Sequence, residues 1–210
     1  MSNEIIIGVD EVGAGSLAGP LLVCAVAIDK ESPQIYGITD SKKLSSNQRE
    51  AFSQQLDSTI MYKSFAFIPH QVIDDINILE SRKKGMQFVI NDILNQLLSF
   101  NYQIDNIKIK VDGTNLNLHI DYDFKIEYII KGDSKEYAIS CASILAKVLR
   151  DAKMKEFATI YPEYGFDKNM GYGSAQHIKD IQEIGLCEIH RKSFCKGILQ
   201  RKMQCDFWNL

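Results

Sequence analysis

Ile5-Ile6-Ile7-Gly8-Val9-Asp10-Glu11 decides the fold. The first five residues are almost wholly β-branched and apolar, the composition of a strand covered on both faces. The run then stops on two adjacent acids, poor strand formers; a turn would explain the Asp but not the Glu. Beyond them Gly13, Gly15, Gly19 and Pro20 punctuate a tight connection, and Leu21 to Ile28 forms a second apolar strand. The opening therefore reads as a hairpin in the middle of a sheet.

Outward from this hairpin, Ser45 and Gln48 have the spacing of a capping box and open a helix running to about Leu56. A third strand, Lys63 to Ile68, stops at Pro69. Between Glu80 and Ser99, Met86, Val89, Ile90, Ile93, Leu94 and Leu97 recur at the three-and-four spacing of an amphipathic helix. Ile107 to Val111 alternates with lysines, so one face is solvated, and it meets Asp112-Gly113; Lys125 to Ile130 repeats the pattern and meets Gly132-Asp133. Ile139 to Thr159 is helical by composition, followed by a Gly/Tyr-rich loop from Tyr161 to Gly173 and two short helices, about Ala175 to Ile184 and Phe194 to Met203. This order predicts an α/β fold with a mixed central sheet flanked by helices. One domain over residues 1–210 is expected, its part from about residue 174 onward being helical.

With 210 residues, 45% of them hydrophobic, the chain can bury one substantial core. The net charge of -3 gives no sign of a nucleic-acid partner, whose footprint is a basic surface. Its distribution matters more and leaves room for a basic groove, although taken alone a random fluctuation in surface charge is the simpler reading. Residues 131–202 hold 13 Lys and Arg against 9 Asp and Glu, whereas residues 1–130 hold 11 against 17. The five cysteines form no CxxC pair, which argues against a zinc site or a disulfide framework. The start MSNEIII lacks the basic opening of a secretory signal, and Gly19 and Pro20 interrupt an apolar run too short to span a bilayer. A soluble, cytoplasmic monomer with no membrane partner is expected.

Three strands in this reading end on carboxylates, at Asp10-Glu11, Asp112 and Asp133. Four acids gathered at one sheet end repel one another unless cations neutralise them, and hard oxygen ligands select Mg²⁺ or Mn²⁺ over zinc. Two such ions about 4 Å apart can activate a water and stabilise the leaving oxygen of a phosphodiester. Taken singly, each acid could equally be a turn or capping residue. The adjacent pair resists that explanation.

Several blocks then resemble the ribonuclease HII (type 2 ribonuclease H) family. They are Gly8-Val9-Asp10-Glu11-Val12-Gly13 with Leu17-Ala18-Gly19-Pro20, Asp40-Ser41-Lys42-Lys43-Leu44, Val111-Asp112-Gly113, Lys131-Gly132-Asp133-Ser134, Ala142 to Val148 with Arg150-Asp151, Gly171-Tyr172-Gly173 and His190-Arg191-Lys192-Ser193-Phe194. Each is weak alone, but all occur in the family's order. The resemblance implies an RNase H-like fold and an endonuclease that cuts RNA in RNA/DNA hybrids and 5′ of ribonucleotides embedded in DNA, leaving 3′-hydroxyl and 5′-phosphate ends. It implies that Asp10, Glu11, Asp112 and Asp133 are catalytic and hold Mn²⁺ or Mg²⁺, with Asp10 bridging two ions. It further places Tyr172 on the sugar at an RNA-DNA junction, and Lys42, Arg191 and Ser193 at phosphates.

One departure stands out. Where the family reads Gly-Arg-Gly, this chain has Gly13-Ala14-Gly15. Its backbone N–H groups can still bind a 2′-hydroxyl and adjacent phosphate, but the guanidinium is missing. Thr39, where the family often has Asn, keeps a hydrogen-bonding side chain. Asp151 is either an outer partner of the site or an i,i+4 ion pair with Lys147, the latter favoured. Gln200, Met203, Phe207 and Trp208 resemble a clamp-binding tail only loosely and are expected to form a hydrophobic C-terminal anchor. Two alternatives stay open: a type 3 ribonuclease H, and a module that binds hybrids without cleaving them.

Overall fold

The structure, a computed structural model, describes residues 4–208, and of Ile104 and residues 201–208 the backbone alone. The side chains assigned above to a C-terminal anchor, except Gln200, therefore lie outside the described residues. In chain order the elements are β1 (Ile5–Val12), β2 (Leu21–Asp29), α1 (Ser46–Leu56), β3 (Tyr62–Ile68), α2 (His70–Ser99), β4 (Ile107–Asp112), β5 (Ile126–Ile129), α3 (Tyr137–Ile160), α4 (Phe166–Asn169), α5 (Ala175–Ile184) and α6 (Lys192–Trp208). The strands form one sheet in the order β3-β2-β1-β4-β5. β1 runs antiparallel to β2 and parallel to β4, and β4 runs parallel to β5. This is the mixed sheet that the sequence predicts.

The expected elements form close to their expected bounds, for the expected reasons. Ser45 caps α1 and Gln48 completes the reciprocal pair. α2 differs: it starts ten residues before Glu80, and its path breaks at Asn77, whose φ of 67° and ψ of 167° are not helical. The Asn77 side chain accepts from the N–H groups of Leu79 and Glu80, capping the second segment where the sequence places a helix start. The preceding segment over His70 to Ile76 was not expected, although Val72, Ile73 and Ile76 have helical spacing over its short length.

The chain packs into two compact units. One comprises Met1–Val12, Leu22–Phe67 and Arg82–Leu149, the other Gly13–Leu21, Ile68–Ser81 and Arg150–Leu210. In the first, every residue of β2 from Leu22 to Ile28 is buried, because the strand lies between two neighbours and under helices. Leu22, Cys24, Val26 and Ile28 pack with Leu56 of α1 and with Ala138, Cys141, Ala142 and Leu145 of α3. Each large aliphatic side chain buried in this way contributes roughly 1.5–3 kcal/mol. α3 approaches β1 closely at Gly8, where a Cβ would come within 2.2 Å of the Ala138 carbonyl carbon. Only glycine fits there.

In the second unit Met154, Tyr164, Phe166, Ile181, Ile189 and Cys195 form a separate core with Ala18. Gly171 at φ +79° lies where a Cβ would meet the Ala18 carbonyl oxygen at 2.4 Å, and Leu17 and Ala18 both donate backbone N–H groups to the Gly171 carbonyl. The Gly/Tyr-rich loop is thus tied to the segment that follows Gly13-Ala14-Gly15.

Candidate active site

Parallel pairing of β1 with β4 sets Val9 opposite Val111. Asp10 and Asp112 each follow one residue later. The register therefore brings two carboxylates side by side at the C-terminal ends of neighbouring parallel strands, the usual place for a ligand site in such sheets. Glu11 comes next on β1, and Asp133 sits in a short 3-10 turn, Gly132–Ser134, just beyond β5.

Each carboxylate has a distinct setting. Asp10 is 6% exposed, accepts the Glu11 backbone N–H at 2.7 Å and is hydrogen-bonded by Ser143 of α3. Burial first, and then the charge of Glu11, raise its carboxyl well above the ordinary range, with Ser143 opposing and Asp112 adding to the rise. Burial also raises Glu11, opposed by Arg82, whose Nη2 lies 2.7 Å from Glu11 Oε1. Asp112 Oδ1 accepts the Gly132 N–H at 2.6 Å, which ties the end of β4 to the turn that carries Asp133. Asp133, also buried, pairs with Lys42 at 3.2 Å.

Asp10, Glu11 and Asp112 thus feel one another's charge, and Lys42 feels both Asp10 and Asp133. Among the described residues, however, no three His, Cys, Asp or Glu side chains stand close enough together to form a metal-binding group. The expectation of four converging acids holds for their location but not for tight clustering. Like charges at one sheet end separate, and here the cations beside them are Lys42 and Arg82. The donor set consists of carboxylate oxygens, and Glu11 Oε2 is buried without a hydrogen-bond partner. Both features fit a hard divalent ion.

The remaining expected residues lie in the second unit, apart from Lys42, whose side chain is 80% exposed. Gly13 is buried, Ala14 half-buried and Gly15 exposed. Tyr172 is 37% exposed, with the Arg150 guanidinium over its ring. Two placements depart from expectation. Arg191 is fully buried and donates to the carbonyls of Ala14 and Gly19, so its guanidinium braces the glycine loop rather than facing a phosphate. Ser193 donates its N–H and hydroxyl to the Asp74 carboxylate, which caps α6. Phe194 beneath Arg191 and the loop carbonyls supply what draws that guanidinium inward.

Sequence reasoning missed Arg82 as a site residue and gave Ser41 and Ser143 no role. Ser41 Oγ lies 2.9 Å from Ser143 Oγ, which continues the hydrogen-bond chain to Asp10. Arg82 had a readable signal. It stands four residues before Met86 on the apolar face of α2, where a basic residue needs an acidic partner.

A mixed sheet whose parallel strands end on carboxylates can frame the metal-assisted hydrolysis of a phosphodiester. The sequence model of the ribonuclease HII family matches residues 7–197. Ribonuclease HII of Rickettsia typhi is 44% identical over 192 residues, 91% of this chain and 92% of that protein. The Pyrococcus horikoshii ribonuclease H2 structure superposes with a TM-score of 0.74 at 23% identity, covering 95% of this chain and 99% of that one. The structure of Bst ribonuclease HIII in complex with Mn²⁺ gives 0.64 at 16% identity, covering 97% and 70%. The chain belongs to the ribonuclease HII family, enzymes that hydrolyse the RNA of RNA/DNA hybrids. Among its described residues no helix is long and apolar enough to cross a membrane.

Proposed function

We propose that this ribonuclease H cuts both within RNA/DNA hybrids and 5′ of single ribonucleotides in duplex DNA, using divalent cations held by Asp10, Glu11, Asp112 and Asp133. The observation that carries the reading is the β1–β4 register, which sets Asp10 beside Asp112 at the strand ends. Mn²⁺ or Mg²⁺ bound there supplies the Lewis acidity that phosphodiester hydrolysis needs; the Mn²⁺ in the ribonuclease HIII structure supports that choice. Ser41 and Ser143 orient Asp10, and the Gly132 N–H orients Asp112. The exposed Lys42 beside Asp133 offers a phosphate contact once metal relieves that pairing.

The backbone of Gly13-Ala14-Gly15, braced by Arg191, takes the 2′-hydroxyl side of the scissile step, and Tyr172 packs on the junction sugar. Ser193 remains a candidate phosphate contact only if it leaves Asp74. The family match over residues 7–197 runs through both compact units, which supports treating the chain as one catalytic domain. The experiment is cleavage of a DNA duplex holding one ribonucleotide, alongside a long RNA/DNA hybrid, with product ends mapped. Metal-dependent incision 5′ of the ribonucleotide, leaving 3′-hydroxyl and 5′-phosphate ends, is expected. Cleavage of the hybrid alone would remove the junction activity.

A further inference from the structure

Arg82 reaches the carboxylate cluster from the apolar face of α2. Its Nη2 lies 2.7 Å from Glu11 Oε1 and 3.9 Å from where a Cβ on Gly113, next to Asp112, would stand. The two side chains are 25% and 10% exposed. They meet through one atom each, since Arg82 Nε and Glu11 Oε2 are both buried and without a hydrogen-bond partner. A guanidinium and a carboxylate that only served each other would adopt the two-bond fork. Here one oxygen is neutralised and the other is left buried without a partner, within reach of the charge of Asp112.

We propose that Arg82 is the resident counter-ion of the carboxylate cluster: it offsets the charge of Glu11 while no metal ion is bound, and so sets the metal concentration at which the site fills. This rests on the reading of the four carboxylates as metal ligands. Lys42 does the same for Asp133 only weakly, because an 80% exposed ammonium is screened by water. Arg82 acts in a drier setting, where a unit charge carries further.

A counter-ion has a signature that a packing residue lacks. Removing its charge leaves acid–acid repulsion unopposed and weakens the metal-free protein, but the same excess negative charge attracts a divalent ion more strongly. Loss of a purely structural contact would lower both stability and metal affinity.

The test uses the full chain as Arg82→Met, Arg82→Lys and Asp112→Asn, with thermal unfolding in chelator and Mn²⁺ binding by titration calorimetry. Arg82→Met is expected to unfold at lower temperature without metal yet bind Mn²⁺ about tenfold more tightly, while Arg82→Lys stays near the parent in both. Should Arg82→Met fail to fold without metal, Arg82→Gln, which keeps a hydrogen-bond donor without the charge, carries the same two expectations. Unchanged or weaker Mn²⁺ binding in the uncharged variants overturns the proposal. Asp112→Asn separates the two ideas. If it loses Mn²⁺ binding while the Arg82 variants match the parent, only the counter-ion role falls; if it binds Mn²⁺ as the parent does, the carboxylate reading falls and takes the counter-ion role with it.

Discussion

The guanidinium of Arg150 lies over the ring of Tyr172, 5.4 Å from its centroid, while the same group donates to the carbonyls of Ala18, Pro20 and Met170 and to the hydroxyl of Ser16. One fully buried side chain thus braces both the glycine-rich connection after β1 and the loop that presents the tyrosine. Arg191 braces the same connection through Ala14 and Gly19. The chain has no arginine in its Gly13-Ala14-Gly15 loop, but it has two beneath it.

Arg150→Met should therefore destabilise the protein by about 3–5 kcal/mol, since it strands several buried carbonyls that water cannot reach. Urea unfolding measures this. A loss below about 1 kcal/mol would mean that the loop carbonyls find other donors.

Tyr172→Ala is expected to lower cutting at a lone ribonucleotide by roughly tenfold or more, the worth of one stacking contact, and to lower cutting within a long hybrid much less. Within a hybrid many registers are productive, so misplacement at one is forgiven. Ala14→Arg should restore part of the loss. Steady-state rates on both substrates decide it, and equal losses on the two would make the tyrosine structural.

The buried pair His177 and His190 predicts acid sensitivity. His177 Nδ1 donates to the Tyr172 carbonyl at 2.8 Å, the two Nε2 atoms are 3.0 Å apart, and His190 Nδ1 accepts the Cys187 N–H at 3.0 Å. This chain of donors and acceptors closes only if both rings are neutral. Burial, and then His177, push His190 down to about 4, and burial pushes His177 down as well. Below the unfolded value near 6.5 the unfolded chain binds protons that the folded pair refuses, so this stability is complete above about pH 6.5 and is lost as pH falls toward 4. The His190 contribution alone is about 3 kcal/mol over that window. Unfolding free energies at pH 7 and pH 5 should converge for His190→Asn relative to the parent. Equal pH dependence in both proteins would contradict the buried neutral pair.

The sheet and most helix starts were legible because they follow from local rules. The Ser45 and Gln48 side chains fix α1, and alternation fixes β4. The strand-end positions of Asp10, Glu11 and Asp112 were legible from the apolar runs before them, and the parallel register explains why Asp10 and Asp112 lie at neighbouring strand ends. The fates of Arg191 and Ser193 were not readable. Exposure of a basic or hydroxyl residue depends on what packs against it from afar, here the carbonyls of Ala14 and Gly19 and the carboxylate of Asp74. The spacing of Arg82 from Met86 is visible in the sequence, but only the fold shows that its partner is Glu11.

The most direct measurement is cleavage of an RNA/DNA hybrid by Asp112→Asn in Mg²⁺ and in Mn²⁺, with hybrid affinity measured in parallel. An asparagine keeps the volume, and its Oδ1 can still accept from the Gly132 N–H, so the fold and the binding of the hybrid should persist. The account predicts that cleavage disappears in both metals while hybrid binding stays near the parent's. Near-normal turnover would contradict the assignment of these carboxylates to the metal.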